Sequence, residues 1–334
     1  MEKVIRIGCL GAARITPPAL VAPAKARHDV ALTAIAARDP ERAAAFAREH
    51  GFTRAEQSYE AMINAPDIDL VYNALPVNGH AEWSLRALRA GKHVLCEKPL
   101  AMNLREAQAM ADAAERSGRR LIEAFHYRYH PQFERCLGWV VDGRIGRVTQ
   151  LKAHFNAPIG DRDGTEIRHF PETGGGSFMD LGCYPLSWCF AVLDREPDTV
   201  KAEATLTKRG VDEALRARLM FADGVEAELS SSMAPSAARE AQLTIVGELG
   251  TIRFDNPTAP QMGSRLTLTT AGIEEVAPED RSTTYTHQLA AVLRAIRTGE
   301  VLPTEGAAIV RQQRVLDAIY RAAGLESLRG SGRH

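Results

Sequence analysis

The chain has 334 residues, 45% of them hydrophobic and 25% charged, with 41 basic side chains against 42 acidic ones and a formal net charge of −1. That length suits two domains of roughly 100–200 residues rather than one core, and the charge balance gives no general attraction for nucleic acid or an anionic membrane. No apolar run reaches the ~18–20 residues of a membrane span, the N-terminus lacks the apolar stretch of a secretory signal, and five cysteines without a Cys-x-x-Cys pair argue against a disulfide scaffold or zinc ribbon and for a reducing cytoplasm.

In chain order the first third alternates strand and helix signals. Residues 4–10 form a short apolar run that stops at Gly11, as a buried parallel strand would, and residues 30–37 form a second. Asp39 is placed to cap a helix that opens with Pro40 and runs to about Glu49, with Gly51 as its terminator. Residues 69–75 read as a strand stopped by Pro76, 81–90 as a helix ended by Gly91, and 93–96 as a strand before Glu97-Lys98-Pro99. Residues 104–117 are helical and 121–124 strand-like. This rhythm predicts a doubly wound parallel sheet, a Rossmann domain over 1–124.

Beyond about residue 125 the texture changes. Residues 146–156 read as a strand leaving the first domain, 158–176 as irregular, and 177–193 as a helix. Apolar and polar residues alternate over 199–207, 214–221, 225–232, 242–246, 251–254 and 266–270. Such alternation predicts a large, mostly antiparallel, open-faced sheet with one covered face. Helices over 286–298 and 305–323 precede a tail, 327–334. The expected fold class is α/β: the Rossmann domain, then an α+β domain over 125–326 that binds substrate.

Gly8 to Thr16 lies where the first strand turns, the place at which backbone N–H groups and a helix N-terminus approach a pyrophosphate. The segment keeps Gly11 of a G-x-G-x-x-G fingerprint and puts Ala13 and Thr16 at the other two positions, which makes Gly11, Ala13, Arg14 and Ile15 candidate dinucleotide contacts. A carboxylate ending the second strand would hold the ribose 2′-hydroxyl of NAD, whereas an arginine accommodates the 2′-phosphate of NADP. Here the strand ends Ala36-Ala37-Arg38, and Asp39 is already explained as a helix cap. Arg38 therefore favours NADP(H) over NAD(H).

Glu97-Lys98-Pro99, taken with segments 8–15, 69–80, 91–100, 123–131 and 174–184, resembles the Gfo/Idh/MocA (glucose-fructose oxidoreductase) family in order and over almost the whole chain. The resemblance implies an α/β domain whose open-faced sheet often forms an oligomer interface, so a homodimer or homotetramer is expected. It also implies hydride transfer to or from a sugar, polyol or related cyclic alcohol. In the family pattern Leu75, Pro76, Asn78 and His80 would line the cofactor, while Glu97 and Lys98 would reach the nicotinamide ribose and the substrate. The Lys98-Pro99 bond would be a candidate cis peptide, a form open to X-Pro bonds for only about 0.5–1 kcal/mol. Arg168 matches a position near the cofactor, with Ile167 where tryptophan often stands.

Gly174 to Tyr184 resembles the family's second signature. Many members end it with histidine; Tyr184 is instead like the sugar- and dihydrodiol-oxidising branches and argues against a histidine relay of the inositol type. Asp180 and Tyr184, four apart, would share a helix face, and three glycines before them are costly to order unless backbone must come close.

Taking a hydride from an alcohol carbon requires removal of the hydroxyl proton. A phenol with a pKa of about 10 suits neutral pH poorly, and a neighbouring ammonium lowers that value. Tyr184 is therefore the expected proton donor and acceptor, Lys98 the ammonium that assists it and bonds the substrate oxygen, and Asp180 the group that orients substrate or lysine. Tyr127 and Arg128 either face the substrate or pack at the domain junction. His126 and His130, also four apart, lack a third ligand of suitable spacing and precede Pro131, which breaks a helix, so a structural or hydrogen-bonding role and no metal are expected. Competing readings are an NDP-sugar ketoreductase or dihydrodiol dehydrogenase of the same branch, and a silent dinucleotide-binding sugar sensor. Retention of both Lys98 and Tyr184 weighs against the sensor.

Overall fold

The computed structural model describes residues 3–161 and 163–325; the tail expected over 327–334 lies outside the described residues. Two compact units divide the chain: residues through Phe125 together with Tyr285–Val310, and His126–Thr284 together with the chain from Arg311 onward.

In the first unit β1 (Ile5–Leu10), β2 (Val30–Ala36), β3 (Arg54–Ala55), β4 (Leu70–Asn73), β5 (His93–Cys96) and β6 (Leu121–Glu123) form one parallel sheet of order β3-β2-β1-β4-β5-β6. The continuous apolar runs make strands because helices cover both faces of such a sheet: β4 is buried throughout, and Ile7, Cys9 and Leu10 are wholly inaccessible. Strand order reverses between β1 and β4, so the loops after these strands flank the switch point where doubly wound sheets take ligands. The helix Pro40–His50 is bounded as expected, with the Asp39 carboxylate accepting from the Glu41 N–H and Gly51 left-handed at φ 84°. Neither β3 nor the helix Tyr59–Asn64 was foreseen, because elements of two and six residues leave no measurable period.

This unit departs from the sequence-based boundaries in one respect: residues 285–310, read as part of the second domain, belong to it. The Glu123 N–H donates to the Thr304 carbonyl, Arg120 pairs with Glu305, Arg297 pairs with Asp29, and Ile309 and Val310 join the core built around Met62, Val71, Leu88 and Met110. An apolar stripe does not say which sheet its helix will cover.

The second unit holds β7 (Val148–Asn156), β8 (Thr199–Leu206), β9 (Asp212–Met220), β10 (Glu226–Ser232), β11 (Glu240–Gly247), β12 (Gly250–Asp255), β13 (Arg265–Thr270) and β14 (Ile273–Val276). Their order is β14-β13-β12-β11-β7-β10-β9-β8, antiparallel except for the β7–β10 pair. The strand read as leaving the first domain is thus at the centre of this sheet. Alternate residues such as Leu215, Leu219, Ala227 and Leu229 are buried, as the pattern predicts. One expectation is reversed. Pro131 opens the helix Pro131–Val141 rather than breaking one, since proline at the first helical position forfeits no hydrogen bond, and His130 caps it by accepting from the Gln132 N–H.

Candidate active site

The glycine turn of the first unit sits at the switch point. Gly11 has φ +93°, and a Cβ there would lie 3.2 Å from Leu75 Cδ2 and 3.3 Å from the Ala74 carbonyl oxygen, so only glycine fits. Its N–H donates to the Ala36 carbonyl at 2.9 Å, tying the turn to β2. Ala13 and Ile15 are half-buried beside it and Arg14 is exposed. Arg38 is exposed just past β2. Sequence reading missed Arg42, one helical turn further on, whose Nη2 donates to the Ala12 carbonyl at 2.8 Å. Burial raises the pKa of the Tyr59 phenol, while the charges of Arg38 and Arg42 act on it in the opposite sense, so both guanidiniums stand near this ring. Spacing along the chain gave no signal for Arg42, because Arg38 precedes the helix cap Asp39 and shares no helix face with it.

Leu75 and Pro76 are half-buried and Asn78 is exposed in the loop after β4. The Lys98-Pro99 peptide is cis, and Lys98 is half-buried. His80 does not line this cradle. It is 1% exposed, with Nδ1 3.0 Å from the Pro99 carbonyl oxygen and Nε2 2.8 Å from that of Leu75, so it braces two loops, and burial lowers its pKa. Glu123 braces the same turn from β6: its Oε1 accepts from the Leu100 N–H at 2.9 Å. Glu97, half-buried, accepts from the Tyr72 hydroxyl at 2.6 Å.

Burial pushes the Glu123 carboxyl from its ordinary 4.5 up to about 8. A carboxyl raised on folding favours the folded state fully below its unfolded pKa, and that contribution is lost as pH rises through the folded pKa. Glu123→Gln keeps an acceptor for Leu100 and removes the ionisation. Between about pH 5 and pH 8 the wild type should therefore lose on the order of 4 kcal/mol that the variant retains. Urea unfolding of both proteins at the two pH values measures this, and parallel losses would disprove it.

In the second unit, Asp212 is inaccessible and accepts from Ser177 Oγ at 2.9 Å, the Phe178 N–H at 2.7 Å and the Tyr320 hydroxyl at 2.8 Å. This carboxylate accounts for the end of the glycine run: Gly176 has φ +121°, and a Cβ would lie 2.1 Å from Asp212 Oδ1. From there a wide π turn, Phe178–Gly182, leads into the helix Cys183–Leu193, where a regular α-helix was expected throughout. Asp180 lies in the wide turn and Tyr184 in the helix, and the two have separate partners. Arg168 Nε is 2.7 Å from Asp180 Oδ2, and Asp180, foremost, raises the arginine's pKa. Two residues singled out for different roles are thus one ion pair.

Tyr184 is 5% exposed, and its hydroxyl lies 3.1 Å from His126 Nε2. His126 Nδ1 lies 2.8 Å from Thr284 Oγ1. Tyr127 corrects the expectation of a substrate contact: it is fully buried, its hydroxyl is 2.6 Å from Ser187 Oγ, and its ring packs on Phe133, Tyr184 and Trp188. Arg128 stacks over Phe133 at 5.6 Å. His130 Nε2 lies 3.1 Å from the Ser282 carbonyl oxygen and 3.8 Å from Asp280 Oδ1.

A glycine turn at the switch point of a doubly wound parallel sheet defines a dinucleotide-binding fold, here that of an oxidoreductase. The sequence matches the model of the oxidoreductase family with NAD-binding Rossmann fold over residues 5–125, and that of the GFO/IDH/MocA C-terminal domain over residues 133–253. The D-xylose 1-dehydrogenase (NADP(+)) 2 of Haloferax volcanii is 36% identical over 319 residues, 95% of this chain and 96% of that protein. The aldose-aldose oxidoreductase of Caulobacter crescentus, solved with glycerol, matches with a TM-score of 0.88 at 26% identity, covering 96% of this chain and 98% of that one. A 3-ketoreductase of Actinomadura kijaniata, solved with NADP and TDP-benzene, matches with a TM-score of 0.87 at 28% identity and the same coverage, 96% and 98%. The chain belongs to the GFO/IDH/MocA oxidoreductase family.

Proposed function

We propose that this protein is an NADP-dependent dehydrogenase or reductase that moves a hydride between the nicotinamide and a secondary alcohol, ketone or anomeric carbon of a sugar or related cyclic polyol. The observation that carries the reading is the buried Tyr184 hydroxyl on His126. When bound, the nicotinamide supplies the hydride acceptor or donor. Tyr184 takes the substrate's hydroxyl proton in oxidation and returns it in reduction. Lys98 supplies the cation that assists the phenol, and Asp180 holds Arg168 in place. A sugar substrate is supported by the similarity to a D-xylose 1-dehydrogenase and an aldose-aldose oxidoreductase. No helix among the described residues is long and apolar enough to cross a membrane. Self-association through the second sheet is part of the same reading, supported by β8, none of whose residues is buried.

The preference for NADP rests on Arg38 and Arg42 beside Tyr59, with the Asp39 carboxylate committed to the Glu41 N–H. Charge-assisted bonds to a phosphate are worth roughly 1.5–3 kcal/mol each. Arg38→Ala and Arg42→Ala should each raise KM for NADP about 10–100-fold and change KM for NAD little. The test follows absorbance of the reduced nucleotide with aldoses, polyols and keto-sugars, using both nucleotides. Wild-type preference for NADH would overturn the phosphate assignment, and inactivity on every carbohydrate would overturn the substrate class.

A further inference from the structure

Beyond these roles, we propose that His126 is a positioning residue that relays the catalytic proton: it accepts the proton that Tyr184 gives up when the substrate hydroxyl is deprotonated. The inference rests on the reading of Tyr184 as the acid/base.

Three chain segments meet at this imidazole. His126 begins the turn His126–Tyr129, Tyr184 is the second residue of the helix Cys183–Leu193, and Thr284 is the first of the helix Thr284–Thr298. All three are enclosed, at 4%, 5% and 0% exposure, and the rings of Tyr127, Phe155 and Trp188 surround the phenol at 6.1, 5.6 and 6.5 Å. A charge developing there is poorly served by water and must be neutralised locally.

What separates His126 from the chain's other buried histidines is the kind of partner. His80 meets two carbonyls, and His130 meets a backbone N–H, a carbonyl and, at 3.8 Å, the Asp280 carboxylate, none of which is a hydroxyl. His126 has a hydroxyl on each nitrogen, and a hydroxyl both donates and accepts. With the Nδ1 proton directed at Thr284, Nε2 is left to accept from the phenol.

In oxidation the carbinol carbon loses its hydride to the oxidised dinucleotide, and its C=O bond forms as its O–H bond breaks. The released proton goes to the Tyr184 oxygen, and the proton Tyr184 held goes to His126 Nε2. The imidazolium holds that proton, its Nδ1–H still donating to Thr284 Oγ1, until it returns the proton to Tyr184, which releases one to water as product leaves. Reduction runs the same chain backwards, and the balance is one proton per hydride.

His126→Phe removes both hydrogen bonds but keeps a ring, His126→Gln keeps an amide for the phenol but takes no proton, and His126→Ala leaves room for free imidazole. The first two should lower kcat by roughly 100-fold. Their sugar KM and NADPH affinity, the latter read by nucleotide fluorescence, should stay within about twofold of wild type. Imidazole should restore part of the alanine variant's turnover. The tyrosinate absorbance titration, taken as protein minus its Tyr184→Phe form, should also shift in His126→Gln. Wild-type kcat in His126→Gln would overturn the relay, as would failure of imidazole to rescue. Should His126→Phe not fold, the glutamine variant decides. An inactive Tyr184→Phe beside a fully active His126→Gln would sink the relay alone, whereas an active Tyr184→Phe would sink the acid/base reading itself.

Discussion

Tyr184→Phe is expected to lower kcat by roughly 10²- to 10⁴-fold, the range a positioned general acid/base supplies, and to leave dinucleotide affinity nearly unchanged. The substitution deletes one oxygen from a side chain whose ring contacts with Phe155, Tyr127 and Trp188 all remain. What is lost is the hydrogen bond to His126 Nε2. A buried partner left unsatisfied costs about 1–3 kcal/mol, so a modest fall in melting temperature should accompany the loss of turnover. The glycine turn, Arg38 and Arg42 all belong to the other unit, which is why nucleotide binding should survive. Steady-state rates and a fluorescence titration with NADPH separate the two effects. Turnover close to wild type would remove Tyr184 from the chemistry.

Gly176→Ala should produce the largest loss of stability, on the order of 3–5 kcal/mol. Two effects add. At φ +121° an L-residue is strained by about 1–3 kcal/mol, and overpacking typically contributes another 1–3 kcal/mol. The neighbour that would have to yield is no flexible tip: Asp212 Oδ1, 2.1 Å from the added Cβ, is held by the Tyr320 hydroxyl, and its other oxygen by Ser177 and Phe178. Relief would displace Ser177 and Phe178, and with them the wide turn that leads to Tyr184, so activity should fall too. Gly138→Ala is the matched control. It lies in the helix Pro131–Val141 with open space around its would-be Cβ, and alanine there should be neutral or stabilising by up to about 1 kcal/mol. Urea unfolding of the three proteins compares them. Equal stabilities would show that the glycine run answers to something other than Asp212.

Much of the first unit was legible because its signals are local. The run ending at Gly11, the Asp39 and Gly51 caps and the helix Leu104–Ser117 each arise from residues close together along the chain. Likewise the alternation over β9 and β10 needs only a covered and an uncovered face. The site was half legible. Lys98 and Tyr184 stood out through the family resemblance, whereas Arg42 looked like any exposed helical arginine until the chain folded its guanidinium back to the Ala12 carbonyl. Tyr127 erred in the opposite direction, since an aromatic near a strand end looks the same whether it faces a ligand or, as here, Ser187 and Phe133.

By itself the sequence determined the two kinds of sheet, the glycine-dependent turn at the switch point and the chemical identities available for catalysis, because periodicity, backbone freedom and side-chain type are properties of short segments. Only the tertiary structure decided that residues 285–310 return to the first unit, that Asp180 is paired with Arg168, and that Tyr184 rests on a histidine 58 positions earlier, itself fastened to a threonine 158 positions later. Partners that far apart are selected by packing and burial, which bring them together only after the strands have found their order.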